Sequence, residues 1–129
     1  MKVLALDYGA ARTGVAVSDE TGTIATPLGV VERAASPDGL AQVRAMVQEN
    51  DAERVVVGLP LTLRGERGSQ AEVTEEFVRA LRKAITVPVE TYDERFTTAL
   101  AARDRGEAPE DARAAAHLLE SYLEWAGAR

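Results

Sequence analysis

The sequence predicts a mixed α/β fold: one five-stranded sheet, three strands antiparallel and two parallel, with helices on both faces. Three observations carry this expectation. Two apolar runs near the start, KVLALD and VAVS, are separated by a glycine-bearing turn, the pattern of a hairpin. Farther on, RVVVGLP is a short and continuously apolar run, as in a parallel strand covered on both faces. Around these runs the apolar period lengthens to about 3.6 residues, the spacing of amphipathic helices.

Taken in order, residues 2–7 form the first strand and Val15–Ser18 the second, beyond a turn that holds Gly9 and Gly14. Residues 23–32, TIATPLGVVE, make a third strand, in which Pro27 and Gly29 mark an edge or a bulge. Ser36 then offers a cap and Pro37 a first helical residue, and Leu40, Val43, Met46 and Val47 share one face of a helix. Residues 54–60 are the fourth strand, central and parallel. After a polar, glycine-bearing loop at 61–70, Val73, Phe77, Val78 and Leu81 describe a second helix. Residues 86–91, TVPVET, give the last strand, and Thr97–Arg105 and Asp111–Ala126 read as a short and a long helix parted by GEAP. A meander followed by crossovers is the ribonuclease H-like order. Nucleases, transposases and nucleotide-dependent kinases share that layout, so function has to be read from the site.

At 129 residues a single domain, 1–129, is expected, able to bury roughly two thirds of its unfolded surface. The chain has no cysteine, which removes disulfides and thiolate metal sites and fits a reducing, cytoplasmic setting. It shows neither a signal-like start nor an apolar run near about twenty residues, so no membrane partner is expected. A net charge of -6 excludes coating of nucleic acid by bulk electrostatics and requires any such contact to be local. Among 15 basic residues only Lys2 and Lys83 are lysine. Arginine suits phosphate through its rigid fork, although the abundance of alanine as well points to genome composition as another source of the bias.

Asp7 closes the first strand, where an unpaired carboxylate is costly to bury and has to face a cleft or a cation. YDER, residues 92–95, repeats the pattern after the last strand, and Asp111 opens the final helix. In this topology the three positions converge on one edge of the sheet. Oxygen ligands of that kind suit Mg²⁺ or Mn²⁺, with Asp7, Asp93, Glu94 and Asp111 as the ligand set and Asp7, Glu94 and Asp111 as the catalytic acids. Taken singly, each has a plainer role as turn residue, surface ion pair or helix cap; their joint occurrence favours the metal. Arg12, Arg64, Arg67 and Arg95 lie on loops near that edge and could grip phosphate, while Gly58 and Pro60 would let a nucleotide strand approach. The lone His117, with Tyr122 and Trp125, reads as helix packing, and Asp19 with Glu20 as a solvated turn.

Four ordered blocks, LALDYGAARTGVAVSD, VVVGLPLTLRGERGSQA, YDERFTT and DARAAAHLLESYL, resemble the YqgF/RuvX family of Holliday-junction resolvases, also described as nucleases of pre-16S ribosomal RNA. The resemblance spans nearly the whole chain. It implies a ribonuclease H-like, divalent-metal nuclease acting on structured RNA or branched DNA, with the family's acids falling on Asp7, on Glu94 beside Asp93, and on Asp111. Two features depart from the family pattern: Thr62 stands where asparagine is usual, and the segment Phe96–Glu110 is short and poor in basic residues. A homodimer or a partner protein could supply the missing contacts, with Leu118, Leu119 and Tyr122 as interface candidates, although core packing is the favoured use of all three. The competing expectation is a non-catalytic RNA-binding module of ribosome assembly on the same fold. A third, the phosphate-binding hairpin of an actin-like or sugar-kinase ATPase, requires two related domains.

Overall fold

A computed structural model describes residues 1–62, 64–94 and 109–127. Its strands are β1 (Val3–Asp7), β2 (Arg12–Ser18), β3 (Ala25–Glu32), β4 (Arg54–Leu59) and β5 (Val89–Asp93), and its helices are α1 (Pro37–Glu49), α2 (Ser69–Ala84) and α3 (Glu110–Gly127). The sheet order is β3-β2-β1-β4-β5. The β1–β2 and β2–β3 pairs are antiparallel, and β1–β4 and β4–β5 are parallel, as the patterning predicted.

Strand alternation sorts the core into two layers. Leu4, Leu6, Val15, Val55 and Val57 point toward α1 and α2, where Val43, Phe77 and Leu81 meet them. Val3, Ala5, Ala16, Val56 and Tyr92 point the other way, onto Ala115, Leu118, Leu119 and Tyr122 of α3. Helices therefore cover both faces. Leu118, Leu119 and Tyr122, considered above for an interface, are buried in this second layer.

Local chemistry explains most boundaries. The Ser36 hydroxyl accepts the Gly39 amide at 3.0 Å and Pro37 opens α1, which is the cap-and-proline start. On edge strand β3, Val15 pairs with Gly29 but Ala16 pairs with Pro27, so Leu28 is the extra residue of a bulge.

Besides shifts of one or two residues at the ends of β1, β3, β4 and α3, three differences from expectation have a physical cause. β2 starts at Arg12 instead of Val15, because Arg12, Thr13 and Gly14 pair with Glu32, Val31 and Val30 despite their turn-like composition. β5 runs 89–93 rather than 86–91, since Pro88 has no amide to donate and its carbonyl instead accepts Val55 N at 2.9 Å. α2 begins at Ser69, directly after Gly68, and absorbs two residues of the expected loop. The helix expected at Thr97–Arg105 lies outside the described residues. Among those described, no helix is long and apolar enough to cross a membrane.

Gly14 corrects a further expectation: it is no turn residue but a buried strand residue under α3. A Cβ there would lie 1.8 Å from the Asp111 carbonyl oxygen and 3.0 Å from Ala112 N, so the first turn of the helix rests on the sheet backbone itself. Gly14→Ala is therefore expected to lose about 3 kcal/mol or more in urea unfolding, the upper end for overpacking. Gly29→Ala, which meets nothing within 4 Å, should change stability by less than about 1 kcal/mol. Equal, small effects of the two would refute the contact.

Candidate active site

Asp7 is the last residue of the central strand, half-buried, and alternation puts it on the α3 face with Val3 and Ala5. Its register partner on β2 is Gly14. Since α3 lies on Gly14, Asp111 in the first turn of that helix arrives beside the end of β1.

From the other side, Gly58 of β4 pairs with Tyr92 of β5, and Glu94 follows the end of β5. A Cβ on Gly58 would lie 3.1 Å from a Leu118 methyl and 3.5 Å from the Glu94 carboxyl carbon. The space expected for a nucleotide strand at Gly58 is thus taken by α3 and by Glu94. Glu94 hydrogen-bonds Asp7, and its pKa is pushed up to about 8, first by burial and then by that hydrogen bond and the Asp7 charge. Two carboxylates in contact repel unless a proton or a cation lies between them. As oxygen donors they fit a hard divalent ion, which commonly binds one or two carboxylates and keeps several waters.

The other expected ligands are placed differently. Asp111 does not join the pair: its Oδ2 is 3.2 Å from Nε of Arg12, with the arginine side chain 66% exposed and the aspartate 34%. Among the described residues no group of three or more histidines, cysteines or acids is close enough to hold a metal. Asp93, between Tyr92 and Glu94, falls on the opposite side of the strand by alternation. Arg12 is the first residue of β2 rather than a loop residue.

Arg64 is exposed in the loop after β4, where Pro60 is half-buried, whereas Arg67 is paired with Glu75 of α2. Arg95 lies outside the described residues. Thr62 shapes the loop: its carbonyl accepts Gly65 N at 2.8 Å and its hydroxyl accepts Glu66 N at 3.1 Å. Gly65 has φ of 81°, a conformation that favours glycine.

Sequence reasoning missed the supports of this edge. Tyr8 stacks on Phe77 of α2, ring centres 4.3 Å apart, and anchors the chain just past Asp7; an aromatic directly after the strand-end acid was the available signal. At the far end of α3, Arg54 Nη1 donates to the Tyr122 hydroxyl at 3.1 Å, and that hydroxyl donates to Glu90. Tyr92 and Trp125 pack around Tyr122, although Trp125 stays partly exposed. Asp19 does more than solvate its turn: the Thr21 hydroxyl and the amides of Ile24 and Thr23 bond its carboxylate and hold its pKa at about 2. A cavity of about 850 Å³ lined by Lys2, Glu20, Asp51 and Glu53 lies at the start of β1 and β4, away from Asp7 and Glu94.

Residues 1–125 match the family model described as RuvX, Holliday junction resolvase. A relative from Chloroflexus aurantiacus, named "Putative pre-16S rRNA nuclease", is 44% identical over 131 residues, covering 95% of this chain and 86% of its own. One of the same name from Synechococcus sp. (strain JA-3-3Ab) is 44% identical over 117 residues, covering 91% of this chain and 74% of its own. Among solved structures, T. thermophilus RuvC in complex with Holliday junction substrate has a TM-score of 0.65 at 19% identity, covering 99% of this chain and 96% of that one. It supports the ribonuclease H-like fold.

The raised pKa of Glu94 makes metal-free stability depend on pH. Between its ordinary value of 4.5 and about 8 the folded chain holds a proton that the unfolded chain has lost, so this contribution is complete below the ordinary value and declines as pH rises through about 8. With chelator present, the melting temperature should fall between about pH 5 and about pH 8.5, and Glu94→Gln should remove part of that fall. Superimposable pH curves would show that the two carboxyls are not in contact.

Proposed function

The chain belongs to the RuvX family of Holliday junction resolvases, and from that premise we propose that it is a divalent-metal-dependent nuclease cleaving phosphodiester bonds in structured nucleic acid. Pre-16S rRNA, for which its relatives are named, is the first candidate substrate, and branched DNA the second. The observation that carries the reading is the contact between Asp7 and Glu94 at the end of the central strand, a pair of hard donors short of positive charge.

Asp7 and Glu94 would hold Mg²⁺ or Mn²⁺, which when bound supplies Lewis acidity toward a phosphoryl oxygen. Asp7 comes from a strand buried at every position before it, so its carboxylate has little freedom to drift and sets where the scissile phosphate must lie. Glu94, whose pKa is raised by burial and by Asp7, would have to be deprotonated for both carboxylates to serve as donors to such an ion. Arg12 and Arg64, both exposed, bind flanking phosphates and fix the register of the substrate without reading its bases. Gly14 and Gly58 act from beneath, by letting α3 and Glu94 sit tightly against the sheet. Such chemistry belongs in the cytoplasm, where ribosomal RNA precursors are matured.

Incubating the protein with labelled pre-16S rRNA fragments, linear RNA and a four-way DNA junction, each with Mg²⁺, Mn²⁺ or chelator, tests this. Asp7→Asn should lower metal-dependent cleavage by more than about 100-fold, exceeding the usual effect of a group that only supports a ligand, with its circular dichroism unchanged. Cleavage retained by the folded variant would refute the assignment. Binding of RNA with no cleavage under any metal would point instead to the non-catalytic assembly module.

A further inference from the structure

We propose that Arg12 is a positioning residue that latches Asp111 away from the Asp7–Glu94 pair until a phosphate of the substrate draws it off. The inference rests on the reading of that pair as a cation site and adds to it an order of assembly.

Three observations lead there. The backbone of Asp111 is already in place, because its carbonyl lies against Gly14, the register partner of Asp7, and such partners have Cα atoms only about 4.5–5.5 Å apart. Its carboxylate is nevertheless held by Arg12 Nε at 3.2 Å, and no group of three acids fit for a metal exists among the described residues. Finally, the arginine side chain is 66% exposed, within reach of an incoming strand.

The energetics favour exchange. An exposed ion pair contributes little and is screened by salt, so a phosphodiester, which matches the guanidinium fork equally well, can replace Asp111 at small cost. The released side chain is then free to turn toward Asp7, the register partner of the glycine on which its own carbonyl rests. A third carboxylate would then strengthen the hold on a divalent ion. Phosphate binding at Arg12 and metal binding at the acids thus favour each other, and thermodynamic linkage makes the coupling reciprocal. The free protein would hold its metal weakly.

The test measures Mn²⁺ affinity of the protein alone, by calorimetric titration of wild type, Arg12→Gln, Asp111→Asn, the double variant and Asp7→Asn. Arg12→Gln, a change at an exposed side chain that leaves the fold intact, should tighten Mn²⁺ binding by about two- to fivefold, the range of an exposed ion pair. In the Asp111→Asn background the same substitution should give only the small screened effect of one surface charge. An equal gain in both backgrounds would mean that Arg12 acts by simple repulsion and would overturn the latch. So would no gain from Arg12→Gln while Asp7→Asn abolishes binding, an outcome that leaves the cation site standing. Wild-type Mn²⁺ affinity in Asp7→Asn would overturn the cation site and the latch together.

Discussion

At Gly14 the first turn of helix α3 meets β2 through backbone rather than through side chains, and the rest of the architecture follows from that close approach. The Asp111 carbonyl lies where a Cβ on residue 14 would have to be, so one missing methyl sets the height of the helix above the sheet. A small shift there would be passed along a rigid helix to Leu118 over Gly58 and to Tyr122 over Arg54 and Glu90. Densely packed interiors transmit such strain instead of absorbing it. The far end of α3 is fixed independently by the tyrosine network, leaving the helix little room to slide.

That fixed helix explains how a chain of net charge -6 can keep carboxylates close together. Asp7 ends a buried strand, Glu94 is anchored over Gly58, and Asp111 enters on the helix; none can retreat far into solvent. Repulsion is relieved locally, by the raised pKa of Glu94 against Asp7 and by Arg12 against Asp111. The close approach of these acids is thus held by local contacts rather than by a broadly basic surface.

Much of the fold was legible because its signals are local. The apolar runs of β1 and β4 and the helical faces of α1 and α2 are patterns of burial that the sequence carries directly. Asp7 and Glu94 stood out because a carboxylate interrupting a strand end has no packing reason to be there. The start of β2 was hidden, since Arg12, Thr13 and Gly14 have turn-like composition and are held in the ladder by pairing with β3. Gly14 was visible as a glycine but not as a contact, because its partner lies in α3. The Arg12–Asp111 pair was hidden for the same reason. The face of Asp93 could have been read: strict alternation with Tyr92 already excludes it from the side where Glu94 lies.

The same considerations bear on why one fold serves such different enzymes. A ROK hexokinase from Thermus thermophilus aligns with a TM-score of 0.50, but this chain spans only 39% of it. The sheet and its hairpin give a fixed edge where parallel strands end, with no preference for one phosphate chemistry. In this chain that edge carries a pair of acids in contact, Asp7 at the end of β1 and Glu94 just past β5, with Asp111 of α3 paired to Arg12. How this chain holds a few charges against their own repulsion therefore depends on the close contact at Gly14, which fixes the helix that carries Asp111 and covers Gly58.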